Sequence, residues 1–286
     1  RRLETDYKVL ESPVLDLSTR QQSVQSLLDY SWQFLKPYEQ KVLARCALFA
    51  GGFTSQAAAQ VIESDFQTLN ALEQKSLLRR DEHGRFDMHE LVRQHAAENL
   101  RQHFSDEDEI LLRHCEYFSH FVSAREASLG NDSVTFHELS IELANIQQAW
   151  HYAISRAQIK QISQCRQGLF SLYNLSGLSY EAESTLRIAI ARVRVVLKTC
   201  APEVANAWQQ LLAELLIDVA NICEVLGKLT EAEQFTNETI EIAERIDNDA
   251  LLAHGYMRVS ANAWARGDYG LHRQALNQSL ELAQTT

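Results

Sequence analysis

Few strings in this 286-residue chain could do chemistry. His89-Glu90-Leu91-Val92-Arg93 departs at one position from the zinc-protease pattern HExxH, in which two histidines one helical turn apart hold a metal on one face. Arg93 stands where the second histidine is needed, and His95, six residues from His89, lies most of the way round a helix, so no metal site is expected. Gly227-Lys228-Leu229-Thr230 lacks the earlier glycine and the hydroxyl residue beside the lysine that a phosphate-cradling P-loop requires. With no GxxxxGK[ST] string present, the chain is not expected to be an enzyme. Cys46, Cys115, Cys165, Cys200 and Cys223 are odd in number and widely spaced, which suggests neither a disulfide framework nor a thiolate zinc site, and reads as a reducing cytoplasm. The Asn-x-Ser/Thr strings at Asn131, Asn174, Asn237 and Asn277 are then chance matches.

Apolar residues make up 45% of the chain and charged residues 23%, which suits a globular protein and argues against disorder. Only 3 prolines and 10 glycines occur, too few for a fold of many tight turns, so helices should dominate. No apolar run reaches the ~18 residues that cross a bilayer, and Arg1-Arg2-Leu3-Glu4 lacks a signal peptide's apolar core. No membrane partner is expected. The start without Met and the stop at Thr286 read as a piece of a longer protein. Charge is uneven: residues 1–104 hold 13 Lys+Arg against 14 Asp+Glu, the remainder 14 against 24. So acidic a C-terminal part repels phosphate backbones and favours a protein or small-molecule partner.

The elements that would position these residues follow from apolar spacing. Val24, Leu27, Leu28, Ser31, Trp32 and Leu35 form a helical stripe; Pro37 opens a second helix that carries Val42, Leu43, Cys46, Ala47 and Ala50 and stops at Gly51-Gly52. Thr54 or Ser55 caps a third with Ala57, Ala58, Val61 and Ile62, and Phe66, Leu69, Leu72 and Leu77 mark a fourth. Leu77–Arg80 and Arg85–Met88, separated by Asp81-Glu82-His83-Gly84, alternate as a small hairpin. A helix opens at His89 and runs to about Phe104. Helices, hairpin and closing helix in this order make a winged-helix layout. Ser105 with the acids Asp106–Glu109 caps a new helix and opens a new domain.

Beyond residue 105 the chain reads as helical pairs. A glycine followed five positions later by a small residue recurs as Gly177…Ala182 and Gly227…Ala232, and more weakly as Gly267…His272, each at a turn between helices. The spacings exceed the ~34 residues of a simple tetratricopeptide unit, so extended helices are expected, with a looser turn where His272 replaces the small residue. Stacked pairs would present a groove lined by the first helix of each. Alignment on the three glycines puts Asn174, Asn221, Glu224, Met257 and Trp264 near it as partner-binding candidates. For Trp264, filling a core is the competing role.

Four blocks, in order, resemble the bacterial signal-transduction ATPases of the STAND class: Arg20-Gln21-Gln22-Ser23 through Asp29-Tyr30-Ser31-Trp32-Gln33-Phe34-Leu35, Leu48-Phe49-Ala50-Gly51-Gly52-Phe53-Thr54, Lys75-Ser76-Leu77-Leu78-Arg79-Arg80, and Met88-His89-Glu90-Leu91-Val92-Arg93-Gln94. In that class a P-loop ATPase module of NB-ARC type precedes a winged helix and tetratricopeptide repeats. The resemblance implies an all-α fold with one small β-hairpin. Residues 1–17 would end the ATPase helical region, 18–104 form the winged-helix domain, and 105–286 form an incomplete tetratricopeptide-like superhelix.

It also implies that ADP closes and ATP opens the intact protein, with Mg bound there. This chain itself would hold no cofactor. Its partners would be the upstream ATPase domain in the same chain and an inducer or protein on the repeat groove. Met88-His89-Glu90 matches the class signature Met-His-Asp, whose histidine reaches the nucleotide phosphate, with Glu90 replacing the acid. An imidazole at a helix start suits that task, because it donates while the helix N-terminus adds positive potential. The implied function is control of a larger ATPase, most often a transcription regulator, or one with a cyclase or kinase effector. An interaction scaffold whose winged helix binds DNA is the alternative. Its reading helix, Asp65–Leu77, would present Gln67, Asn70, Glu73, Gln74 and Lys75, with Arg79, Arg80 and Arg85 on the wing, which is little positive charge for phosphate contacts.

Overall fold

The computed structural model describes residues 26–285. Residues 1–17, the string Arg20–Ser23 and Val24 lie outside the described residues. Two compact units divide between Tyr117 and Phe118.

The first unit holds helices α1 (26–33), α2 (Pro37–Cys46), α3 (Ser55–Val61) and α4 (Phe66–Gln74), strands β1 (Arg79–Arg80) and β2 (Phe86–Asp87), and helix α5 (Glu90–His103). Helices begin where a side chain satisfies an orphan backbone N–H: Thr54 accepts from Ala57 at 3.1 Å and Asp65 from Thr68 at 2.7 Å. Pro37 opens α2, and Glu39 accepts from the Lys36 backbone at 2.8 Å. The strands pair antiparallel, Arg79 opposite Asp87 and Arg80 opposite Phe86.

Phe53 adds a third rung. It exchanges backbone hydrogen bonds of 2.7 and 2.8 Å with Phe86, and one residue is too short to show in any sequence alternation. Helix α2 therefore ends at Cys46, short of the expected Ala50, and the chain runs on through Phe49 into the core. Gly52 serves this rung, because a Cβ there would sit 3.1 Å from the Phe86 carbonyl oxygen. Phe49 stacks on Phe53 with centroids 4.4 Å apart, and Phe53 faces Phe86 at 6.1 Å. Ile62, Leu69, Leu72 and Leu100 complete a fully buried core.

The α1 stripe is only partly buried. Leu35 is inside, but Leu27 is 63% exposed, beside exposed Tyr30 and Phe34. The rotation of α1 is fixed instead by Asp29, 2.8 Å from Nε2 of buried His95, and by Trp32 edge-on to the same ring at 5.7 Å. Those two contacts turn Leu27 outward.

Helix α6 (Glu107–Ser123) starts two residues beyond Ser105, and it is the Asp106 carbonyl that accepts the Ile110 N–H at 3.0 Å. Its beginning is fastened to the first unit: Arg45 of α2 donates to Asp106 at 2.5 Å and Arg113 meets Glu63 at 2.6 Å. Ile110 is fully buried. The division between the two compact units falls inside α6.

The second unit continues with α7 (Glu126–Leu129), α8 (Ser133–Ile141), α9 (Leu143–Ser155), α10 (Ile159–Leu175), α11 (Ser179–Leu197), α12 (Pro202–Val225), α13 (Leu229–Arg245), α14 (Asp249–Ala265) and α15 (Tyr269–Thr285). Helix α12 has 24 residues and α11 has 19, the extension that the long glycine spacings required. Gly177, Gly227 and Gly267 take φ of 70, 72 and 78°, and the next residue's N–H returns to Tyr173, Cys223 and Ala263 carbonyls respectively. This is the Schellman closure, for which glycine is the unstrained choice. Two further turns of the same kind hold non-glycine residues, Ala157 and Asp247, both at φ 54°. They had no glycine to announce them.

Ala182 and Ala232 are fully buried where the second helix meets the first. The turn at Gly267 is no looser than the others, with the same two closing bonds at 3.0 and 2.9 Å. His272 is accommodated because its imidazole hydrogen-bonds with Ser260 at 2.8 Å and lies 5.1 Å from the Trp264 ring.

Candidate functional site

His89 is the N-cap of α5. Its Nδ1 accepts the Leu91 backbone N–H at 3.2 Å, which assigns the ring proton of a neutral imidazole to Nε2. The residue is exposed, so a donor group stands beside the free N–H groups and positive end of a 14-residue helix. Glu90 in the first turn is placed to favour the same dipole. Behind His89, Arg93 binds Asp87 at 3.0 Å and also donates to the Phe49 carbonyl. Partial burial works against ionisation of Asp87, but Arg79 and Arg93 outweigh it and hold the carboxyl below its usual range.

The cations that a DNA-reading face would need are engaged locally. Lys75 binds Glu39 at 2.6 Å, Arg80 binds Glu73 at 3.1 Å, Arg79 binds Asp87, and Arg85 donates to the Gly52 carbonyl at 2.7 Å. Gln67 and Gln74 are exposed on α4, while Asn70 and Glu73 are half-buried.

In the second unit, α10, α12 and α14, the first helices of their pairs, line a groove of about 430 Å³. Its floor is an ion-pair array. Arg166 donates to Asp218 at 2.6 Å and lies 3.3 Å from Glu214; Arg258 donates to the Asn221 amide oxygen at 2.7 Å and to Glu224 at 3.1 Å. Burial pushes the Asp218 carboxyl up, and Arg166 offsets this only in part. Burial likewise pushes Glu224 up against the pull of Arg258. Burial disfavours the Arg166 charge, but Asp218 and Glu214 overcome it. His254 and Met257 form part of the opposite wall.

Of the residues singled out for partner binding, Asn221 and Met257 line this groove, and Glu224 stands behind Arg258. Asn174 is exposed at the end of α10, outside it. Trp264 also lies outside, 59% exposed, with its ring edge-on to Tyr269 at 5.2 Å, so it fills no core. Arg166, Glu214, Asp218, His254 and Arg258 were not anticipated. A signal existed for three groove residues: Glu214, Asp218 and Asn221 fall at i, i+4 and i+7 in the mainly apolar stretch Leu211–Cys223 of α12, one polar stripe on one face. Among the described residues no group of acidic, histidine or cysteine side chains could hold a metal ion, and no helix is long and apolar enough to cross a membrane.

A structure comparison bears on this arrangement. A STAND (Signal Transduction ATPase with Numerous Domains) protein with a tetratricopeptide repeat sensor, from Pyrococcus horikoshii, superposes with a TM-score of 0.50 over 91% of this chain and 40% of that one, at 16% identity. The chain shares the fold of that STAND protein. Proteins of Mycobacterium bovis and Mycobacterium tuberculosis that carry the name HTH-type transcriptional regulator are 26% identical over 178 residues, 58% of this chain. The chain covers only 20% of the length of these curated relatives. No family model matches it.

Proposed function

We propose that this chain is the regulatory and sensor portion of a signal-transducing STAND ATPase, a transcription regulator in which the winged helix closes on bound ADP and the repeats take up an inducer. The observation that carries the reading is His89. Its Nδ1 is committed to capping α5, so the outward Nε2–H and the helix N-terminus together suit an anionic phosphate oxygen. In the intact protein the nucleotide and its Mg²⁺ would belong to an ATPase domain preceding this chain.

The transcriptional part draws support from the names of the mycobacterial relatives. Direct DNA reading by this winged helix is the weaker alternative, because Lys75, Arg79, Arg80 and Arg85 already have partners within the unit. The groove on α10, α12 and α14 is the place for an inducer.

The test uses the full-length protein. His89→Ala is expected to release bound ADP faster and to raise basal transcriptional output, read from the nucleotide content of the purified protein and the off-rate of a fluorescent ADP analogue. Unaltered ADP retention removes the sensor role from His89.

A further inference from the structure

The outward face of α11 breaks the pattern of the repeat. Tyr180, Ser184, Ile188, Ala191 and Val195 fall at i, i+4, i+8, i+11 and i+15, one stripe about 22 Å long on a single face. All five are exposed, Tyr180 by 72%, Ile188 by 54% and Val195 by 50%. Registered on the turn glycines, the positions of Ser184, Ile188, Ala191 and Val195 hold Gln234, Glu238, Glu241 and Arg245 in α13. In α15 the first three hold Gln274, Gln278 and Glu281. The face turned to water is thus polar in those two helices and mainly apolar in α11, and a continuous exposed apolar stripe marks a contact surface where single exposed residues do not. Cations flank it. From Arg187 to Lys198 the helix holds Arg187, Arg192, Arg194 and Lys198 and no acid, within the acidic C-terminal part of the chain. Toward α13, Arg187 meets Glu231 and Arg194 meets Glu238, each at 2.5 Å, and the two guanidiniums remain 41 and 45% exposed. Toward α9, Arg192 donates to the Ser155 carbonyl at 3.0 Å, an acceptor without formal charge, and Lys198 is exposed.

We propose that the outward face of α11 is a docking surface for an acidic amphipathic helix of a partner protein, whose apolar side covers Ile188, Ala191 and Val195 while its carboxylates meet Arg192, Arg194 and Lys198. The inference goes beyond the readings of His89 and of the groove and depends on neither. Charge complementarity chooses the occupant. Second copies of this chain meeting through α11 would set cation against cation, and the outward faces of α13 and α15 offer no apolar stripe to match. An anionic bilayer is disfavoured by the net charge of −11. A helix suits the geometry, since a row of side chains at these spacings packs into the groove beside the corresponding row of another helix.

Fluorescence anisotropy on the full-length protein tests this with two labelled peptides. One is made of three Glu-Leu-Glu-Ala-Leu-Glu-Ala repeats, an acidic helix with a leucine stripe; the other carries lysine for every glutamate. The acidic peptide is expected to bind and the lysine peptide not. Ile188→Asp and Val195→Asp should each weaken binding about tenfold, through lost apolar contact and an added like charge. Arg192→Glu should weaken it by a similar factor, an effect that shrinks as salt is raised. Gln234→Ala, at the equivalent place on α13, should bind like the parent. All four substitutions fall on exposed positions, and circular dichroism and thermal melts check that each variant is folded. No binding of the acidic peptide up to millimolar concentration, equal binding of both peptides, or undiminished binding by Ile188→Asp would overturn the proposal. So would a dimer in light scattering that Ile188→Asp dissolves, which gives the stripe to a second copy, or binding of phosphatidylserine vesicles in preference to the acidic peptide.

Discussion

Arg93 donates to Asp87 at 3.0 Å, so the helix capped by His89 is tied to the second strand of the hairpin. The other terminal nitrogen of Arg93 donates to the Phe49 carbonyl, which joins the same helix to the segment leading into the Phe53 rung. The imidazole at the start of α5 therefore sits on a braced element rather than on a loose turn.

Removal of that brace is the first prediction. Arg93→Ala strips two acceptors of a guanidinium that is only 16% exposed, and should destabilise the winged helix by about 2–3 kcal/mol. Hydrogen–deuterium exchange should quicken at the amides of β2 and of the first turns of α5 while those of α12 stay protected. Arg93→Lys should recover only part of the loss, since an ammonium lacks the planar fork that reaches both partners. Unchanged protection in β2 would show that the brace does not hold the hairpin.

The attachment of α6 should depend on pH. Burial raises the cost of the Asp106 charge, but Arg45 and Lys41 outweigh it and hold the carboxyl below its ordinary value. A depressed folded-state pKa contributes stability that is present above the unfolded value of about 4 and is lost as pH falls through the folded value. Asp106→Asn leaves Arg45, 7% exposed, with weaker compensation and should cost about 2 kcal/mol at pH 7. The stability gap between parent and variant, followed by thermal melts, should narrow as pH drops from 5 toward about 3. A constant gap would deny Asp106 this linkage.

Two of the non-glycine turns, those of the second unit, offer a gain in stability. Ala157 and Asp247 hold φ of 54°, a conformation that costs an L-residue about 1 kcal/mol and glycine almost nothing. Ala157→Gly should stabilise the repeat unit by up to ~1 kcal/mol, less the entropy that glycine adds to the unfolded chain. Gly227→Ala should cost about 1 kcal/mol from backbone strain alone, because an added Cβ there meets no atom within 4 Å. Thermal or urea melts of the three proteins rank them. If Gly227→Ala melts with or above the parent, the strain account is wrong.

Local signals in the sequence determined most of the scaffold. Apolar residues at helical spacing, Thr54 as a cap and Pro37 at a helix start act within a few residues of themselves, so they can be read without the fold. The glycines at Gly177, Gly227 and Gly267 likewise mark turns whose backbone only they adopt freely. Tertiary structure alone decided the rest. It turned Leu27 outward by anchoring α1 through Asp29 and His95, which are 66 positions apart, and it built the sheet rung at Phe53 from a partner 33 residues away. It also assembled the groove, where Arg166 meets Asp218 across 52 residues and Arg258 meets Glu224 across 34. An ion pair of that kind leaves no periodic trace, because its two members obey the spacing of different helices and meet only when those helices stack.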